Sequence, residues 1–338
     1  MLDPSSFLEA AQNTAVIDVR SPKEFAHAHI PNAINIPLFD DEERAKVGTL
    51  YKQQGKDAAV LLGLEMVGPK LADFVKKSQE IAPSKEVMVH CWRGGMRSGS
   101  FAWLLKTAGF KTDILKGGYK AYRNHVLDTF KKPYQLIVLG GKTGSGKTEI
   151  LKELKNIGEQ VIDLEGLANH KGSSFGMLGQ APQPSSEMFE NLLAQELAQL
   201  DNTRPIWIED ESQGIGHCFI PLAFWQQMRV AKTVVLDVSQ EIRVKRLVQE
   251  YASFDTELLE NAINRIQKRL GGLQHKKALE ALTQKNYEEV ARMTLHYYDK
   301  SYQEGVNRRD KANIKIVEIA EDNCIESAIL LKNLKLDF

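Results

Sequence analysis

An apolar run, Gln135-Leu136-Ile137-Val138-Leu139, feeds into Gly141-Lys142-Thr143-Gly144-Ser145-Gly146-Lys147-Thr148, and helical character continues from Glu149 to about Asn156. Strand, glycine loop and helix in that order commit this part of the chain to an α/β layer. Glycines let the backbone wrap phosphate oxygens, a lysine bridges them, and the hydroxyl after it is placed to ligate Mg²⁺. Gly141, Gly144, Ser145, Gly146, Lys147 and Thr148 are therefore the phosphate-binding candidates. Ile206-Trp207-Ile208 predicts a later strand that ends in Glu209-Asp210-Glu211. Glu209 and Asp210 stand where an acid that orients metal or water is expected, and an acidic surface turn fits them too.

A second anion-handling device lies about fifty residues earlier, in His90-Cys91-Trp92-Arg93-Gly94-Gly95-Met96-Arg97-Ser98. It follows an apolar run, Glu86-Val87-Met88-Val89, and precedes Phe101-Ala102-Trp103-Leu104-Leu105, so Cys91 is expected at a strand-to-helix turn. Backbone N–H groups at such a turn point at the sulfur and at any anion beside it. With Arg93 and Arg97 nearby, Cys91 is expected to have a lowered pKa and to be the nucleophile. Arg93, Gly94, Gly95, Arg97 and Ser98 are the residues expected to hold an oxyanion there. His90, one residue back along the strand, is expected to point away and to be structural.

The chain has 338 residues, enough for two cores, and two domains are expected. Its start shows neither a basic nor an apolar leader segment, and no apolar run approaches membrane-spanning length, which predicts a cytoplasmic protein with no membrane partner. Three cysteines, Cys91, Cys218 and Cys324, are too few and too scattered for a disulfide framework or a paired metal motif. Formal net charge is zero, yet Met88 to Lys132 holds nine Lys/Arg against two acids, and Arg265 to Lys277 holds five bases and no acid. Each block fits either a nucleic-acid footprint or a solvated helix face. Lys268, Arg269, Lys276 and Lys277 are the nucleic-acid-contact candidates of the second block.

Strands and helices alternate through the first part: Ala15-Val16-Ile17-Asp18-Val19, then Ala33-Ile34-Asn35-Ile36 between prolines, then one long helical stretch from Asp57 to about Ile81. The cysteine strand and its helix come next, then a strand at Asp113-Ile114-Leu115 and a helix after Gly117-Gly118. Domains are predicted at 1–130 and 135–338, joined by a linker at 131–134. The last hundred residues read as helices with one strand, Ile314-Lys315-Ile316-Val317. Ile17-Asp18-Val19-Arg20 with Pro22 and Phe25, His29-Ile30-Pro31-Asn32-Ala33, the cysteine loop and Lys116-Gly117-Gly118-Tyr119 together resemble the rhodanese family. That resemblance implies a rhodanese-like α/β domain whose cysteine accepts sulfur or selenium. In the commonest short form an arginine follows the cysteine after four residues, whereas five separate Cys91 from Arg97. The same spacing is found in tyrosine-phosphatase-like loops.

Behind the phosphate loop, Thr233-Val234-Val235-Leu236-Asp237 predicts a strand leading to a helix with Arg243 and Arg246. They resemble the phosphate-facing arginines of small P-loop kinases, and a solvated face fits them equally. Tyr51-Lys52-Gln53-Gln54-Gly55-Lys56-Asp57-Ala58-Ala59, Leu62-Gly63, Asp163 to Ala168, His170 to Gly176 and Glu209-Asp210-Glu211-Ser212 make nearly the whole chain similar to the tRNA 2-selenouridine synthase family. The resemblance implies a bacterial transferase acting on wobble 2-thiouridine of tRNA. On that resemblance, geranyl diphosphate is expected first to alkylate the sulfur, and selenophosphate then to supply selenium that replaces the geranylthiolate. It further implies that Cys91 carries selenium and that Gly141 to Thr148 hold the donor's diphosphate, with Mg²⁺ a candidate ion and a selenophosphate-supplying enzyme a candidate partner. Gly63 is read either as shaping the entrance or as a helix-packing glycine. Two other classes fit the residues: a Cys-x5-Arg phosphatase fused to a small-molecule kinase, and a nucleotide-binding tRNA regulator with a redox-sensing cysteine.

Overall fold

The computed structural model describes residues 1–335. They form two compact units, Met1–Thr129 with Glu190–Gln195, and Phe130–Phe189 with the described residues from Glu196 onward.

The first unit opens with α1 (Pro4–Ala10), β1 (Ala15–Asp18), α2 (Pro22–His27) and β2 (Ile34–Asn35). It continues through α3 (Asp41–Gln54), α4 (Lys56–Val67), α5 (Leu71–Ile81), β3 (Glu86–His90), α6 (Met96–Thr107), β4 (Lys111–Ile114) and α7 (Gly118–Thr129). Its four strands are parallel in the order β2-β1-β3-β4, with Asp18 opposite His90 and Met88 opposite Asp113. Helices cover the sheet, α6 packing Phe101 and Leu105 against Ile17, Val87 and Val89 of the apolar parallel strands. The stretch expected as one helix from 57 to 81 is two, because Pro69 lacks the N–H that would continue the ladder and a 3₁₀ turn, Gly68–Lys70, intervenes. Helix α3 carries a capping box, Asp40 with Glu43, but buries no residue, so it lacked the apolar period that would have revealed it.

In the second unit β5 (Leu136–Gly141), α8 (Lys147–Asn156), β6 (Gln160–Ile162), α9 (Leu164–Ala168), α10 (Ser186–Ala198, shared with the first unit) and β7 (Ile206–Glu209) come first. A small antiparallel pair follows, β8 (Gly214–Ile215) and β9 (Cys218–Phe219), then α11 (Leu222–Val230), β10 (Lys232–Val238) and α12 (Gln240–Tyr251). The helical part is α13 (Thr256–Arg265), α14 (Gln267–Leu270), α15 (Gly272–Thr283) and α16 (Tyr287–Val306), and β11 (Ile314–Ile319) with α17 (Cys324–Lys332) completes the unit. Five parallel strands run in the order β11-β10-β5-β7-β6, so the strand that delivers the phosphate loop is central and all six of its residues are buried. The expected late strand is therefore an edge strand, paired with β10 from Thr233↔Ile314 to Val238↔Ile319. No helix among the described residues is long and apolar enough to cross a membrane.

Candidate functional site

In the first unit β3 delivers Cys91 into a loop that ends at α6, whose N-cap is Gly95 with no side-chain cap. Free N–H groups at that helix start are consequently available to an anion. The loop is held from the other side by the first turn of α7: Tyr119 and Lys120 N–H donate to the carbonyls of Cys91 and Trp92 at 2.8 and 3.0 Å. Gly118, with φ +61°, has no room for a side chain, since a Cβ there would lie 2.3 Å from the Cys91 oxygen. The Lys116-Gly117-Gly118-Tyr119 signature is thus the second wall of the cysteine loop.

Cys91 is 3 % exposed, and its sulfur lies 3.2 Å from the Ser98 hydroxyl, which is equally 3.2 Å from the Gly95 carbonyl. Burial pushes the thiol pKa up, but the Ser98 hydroxyl, the N–H groups of Ser98 and Arg93 and the charge of Arg97 outweigh it and leave the group below its ordinary value. That is the electrostatic setting of a nucleophilic thiolate. Arg93 and Gly95 are exposed around it and Gly94 is half-buried. Arg97 is anchored: it donates to Glu24 at 2.8 Å, and Glu24 belongs to the capping box that starts α2.

Beneath the loop lies a buried polar layer that the first rhodanese-like motif supplies. Arg20, 1 % exposed, grips Asp18 through contacts of 2.6 to 3.0 Å, donates to the Ala28 carbonyl at 2.8 Å and lies 3.8 Å over the Tyr119 ring. Burial raises the Asp18 carboxyl, and His90 and Arg20 together bring it below its usual range. Arg20 is the charged partner near neutrality, because burial drives the His90 pKa down to about 4 and keeps its ring neutral. His90 packs against Phe7 and Tyr119 rather than joining the cysteine site.

In the second unit the phosphate loop leaves β5 and turns into α8 through Gly144 and Gly146, both near φ +80°. The Arg246 guanidinium fills the space where a Gly146 side chain would be. Ser145 is 1 % exposed, and Lys147 Nζ donates to the Gly141 carbonyl at 3.1 Å. Thr148 donates to Glu165 at 3.0 Å, and Glu165 is hydrogen-bonded to Glu211. Burial raises both carboxyls; Lys147 and Thr148 counter it for Glu165, while the Glu165 charge raises Glu211 further. The pair is thereby biased toward holding a proton beside the loop lysine.

The acids singled out from the sequence sit elsewhere. Glu209 is fully buried, accepts from the Leu164 N–H at 2.9 Å, and is pushed well above its ordinary range by burial and by Asp163 and Glu165. Asp210 is ion-paired with the buried Arg309. Glu165, bonded to Thr148, and Glu211, beside Glu165, are the acids that meet the loop, whereas Glu209 is taken up by the Leu164 N–H and Asp210 by Arg309. The available signal was Glu165 itself, just past the short apolar run Val161-Ile162. Arg243 does not face phosphates: it is 3 % exposed, binds Asp299 through two contacts of 2.8 Å and donates to the Thr143 carbonyl at 3.2 Å, bracing the loop from behind. Arg246 is held by Asp322 at 2.6 Å and lies 3.4 Å from Cys324 Sγ.

Of the basic blocks, Lys268 and Lys277 are exposed on α14 and α15, Arg269 donates to the Tyr297 hydroxyl at 2.9 Å, and Lys276 pairs loosely with Glu280 at 3.9 Å. The basic block from 265 to 277 spans the end of α13, α14 and the start of α15, with Gly271 at φ +80° between the last two. Gly63 is buried in α4, where a Cβ would press to 3.3 Å from the Phe39 ring, a packing position.

Residues 134–327 match the family model described as the tRNA 2-selenouridine synthase AAA domain, and residues 3–125 match the rhodanese-like domain. A tRNA 2-selenouridine synthase of Sulfurovum sp. (strain NBC37-1) is 38% identical over 331 residues, covering 88% of this chain and 90% of that protein. That of Pseudomonas syringae pv. syringae (strain B728a) is 38% identical over 341 residues, with 89% and 92% covered. That of Shewanella denitrificans (strain OS217) is 36% identical over 336 residues, with 88% and 89% covered. The expected order, a rhodanese-like α/β domain before a phosphate-loop α/β domain with a helical C-terminal part, is borne out. On this extent of likeness, the chain belongs to the tRNA 2-selenouridine synthase family.

Proposed function

We propose that this chain is an enzyme that replaces the sulfur of wobble 2-thiouridine in tRNA with selenium, in the cytoplasm and in two steps. In the first, the thiouridine sulfur displaces diphosphate from geranyl diphosphate; in the second, selenium drawn from selenophosphate replaces the geranylthiolate. The observation that carries the reading is that one chain of this family holds two separate anion cradles, one built around a thiolate-stabilised cysteine and one around a phosphate-loop lysine. The Cys91 thiolate attacks the phosphorus of selenophosphate, an S–P bond forming as the P–Se bond breaks; the selenide set free replaces the geranylthiolate, water then cleaves the S–P bond to release phosphate, and the loop from Arg93 to Ser98 holds that phosphate by N–H groups and guanidinium charge. The phosphate loop holds the prenyl donor's diphosphate, with Lys147 meeting charge as it develops on the leaving group.

Thr148 and Glu165 offer oxygen donors 3.0 Å apart, which suit a hard cation such as Mg²⁺. Among the described residues no group of three or more His, Cys, Asp or Glu forms a metal site by itself, so such an ion would take its remaining oxygens from the phosphates and water. When bound it would supply further charge to the departing diphosphate. The exposed bases of α14 and α15 are the surface proposed for tRNA phosphates.

Digested tRNA separated by liquid chromatography and mass spectrometry tests the division of labour. Lys147→Ala should stop at 2-thiouridine, with alkylation reduced by on the order of 100-fold or more, and should still selenate tRNA geranylated beforehand. Cys91→Ser should accumulate S-geranyl-2-thiouridine and go no further. Equal failure of Lys147→Ala on both substrates would refute the partition.

A further inference from the structure

Beside the phosphate loop the second unit contains an apolar cleft enclosing about 540 Å³ of empty space, part of it open to solvent. Thr143 of the loop forms one end, and the walls come from α12, α13, α15 and α16, with Leu247, Tyr251, Leu282, Val290 and Ala291 among them. The cleft lies along a seam between two apolar clusters, one around Phe175, Leu259 and Leu282 and one around Val244, Ala291 and Leu295. Interiors normally close such seams to crystal-like density. One that stays open and begins at a phosphate loop is a candidate channel for a ligand's apolar part.

Two hydroxyls in its wall, those of Thr294 and Tyr298, are already engaged. Thr294 donates to the Val290 carbonyl within its own helix at 3.0 Å, and the Tyr298 hydroxyl is bonded to Ser174 N–H and Oγ at 3.1 and 2.5 Å. A nucleobase or ribose would find few free partners for its edges, whereas a hydrocarbon chain needs none. The rim explains a sequence feature with no role so far: in His170 to Gly176, Ser173 and Phe175 line the cleft, Ser174 clamps Tyr298, and Lys171 is paired with Glu250 of α12.

We propose that this cleft receives the hydrocarbon tail of a prenyl diphosphate whose diphosphate lies in the phosphate loop. The assignment rests on the donor reading given above and adds the site that would select chain length.

Equilibrium binding to the full chain tests it with inorganic diphosphate, dimethylallyl diphosphate, geranyl diphosphate and a nucleoside triphosphate. Affinity should rise along the first three, by at least about 100-fold from inorganic to geranyl diphosphate, since each buried CH₂ contributes measurably. Ala291→Phe, which fills the cleft, and Leu247→Gln, which makes its half-buried wall polar without enlarging it, should each weaken geranyl diphosphate by about 30-fold or more while inorganic diphosphate changes by less than about threefold. Retained inorganic diphosphate binding shows that each variant is folded. Equal affinity for inorganic and geranyl diphosphate in the unaltered protein would overturn the proposal, as would a triphosphate displaced from the same cleft by the Ala291 substitution. Failure of every diphosphate to bind would overturn both it and the donor reading. Tight geranyl diphosphate binding that Ala291→Phe abolishes, with tRNA left unalkylated, would sink the functional reading and leave the cleft assignment standing.

Discussion

Ser98→Ala isolates what the cysteine loop does to its sulfur. The Ser98 hydroxyl is 3.2 Å from both Cys91 Sγ and the Gly95 carbonyl, so its single proton serves the carbonyl while Cys91 is a thiol and the sulfur once it ionises. A hydrogen bond to a charged acceptor contributes about 1.5–3 kcal/mol and the neutral one about 1 kcal/mol, leaving roughly 0.5–2 kcal/mol in favour of the thiolate. At about 1.4 kcal/mol per pKa unit, removing the hydroxyl should raise the Cys91 pKa by about 1 unit. The N–H groups of Ser98 and Arg93 and the charge of Arg97 remain, so part of the depression should survive. Thiolate ultraviolet absorbance against pH measures the shift without regard to access, and iodoacetamide labelling read peptide by peptide measures it at each cysteine. The Cys91 profile should move to higher pH, slowing labelling near neutrality by about tenfold. Cys218, pushed up to about 11 by burial, and Cys324, also raised by burial, should lag behind Cys91 in both proteins. An unmoved profile, or Cys218 labelled as fast as Cys91, would refute the account of how the loop activates its sulfur.

Arg20→Ala should destabilise the first unit by about 3–5 kcal/mol, because it strands the Asp18 charge in a site that is 0 % exposed; a loss under about 1 kcal/mol in urea unfolding would contradict this. Burial and the Glu165 charge raise the Glu211 carboxyl, so the folded protein keeps a proton that the unfolded chain has released. The stability associated with that proton is lost as pH climbs from the unfolded carboxylate pKa through the raised folded one. Glu211→Gln should flatten the profile of unfolding midpoint in that window, and an unchanged slope would mean that the pair shares no proton. Reversing charge at Lys268 and Arg269 together should reduce the slope of log K against log salt for tRNA by about 2 if each meets a phosphate, as each contact contributes roughly one. An unaltered slope would make α14 an ordinary solvated surface.

Both loops were legible in the sequence because their information is contiguous: strand, glycines, basic residues and helix start lie within a dozen positions and each enforces a local geometry. What the sequence withheld was pairing across distance. The role of the Asp18, Arg20 and Tyr119 layer appears only when the end of β1 and the start of α7 are brought together. Charge type alone could not tell that Arg243 braces the loop through Asp299, or that Asp210 is consumed by Arg309. Glu165 and Glu211 meet because β6 and β7 are neighbours in the sheet, and strand order is not written in either segment. Helix α3 was missed for a different reason, since a helix with no buried residue leaves no apolar stripe to read.

The side chain that fills the space above Gly146 belongs to Arg246, and its partners, Asp322 and Cys324, stand at the start of α17. The sheet that positions β5 also gains its outer strand, β11, only at residues 314–319. Synthesis is vectorial, so the glycine turn emerges from the ribosome well over a hundred residues before the groups that lock it. The cysteine loop has its opposing wall by Lys120 and is completed early, whereas a nascent chain lacking α17 carries a phosphate loop that is translated but not yet set.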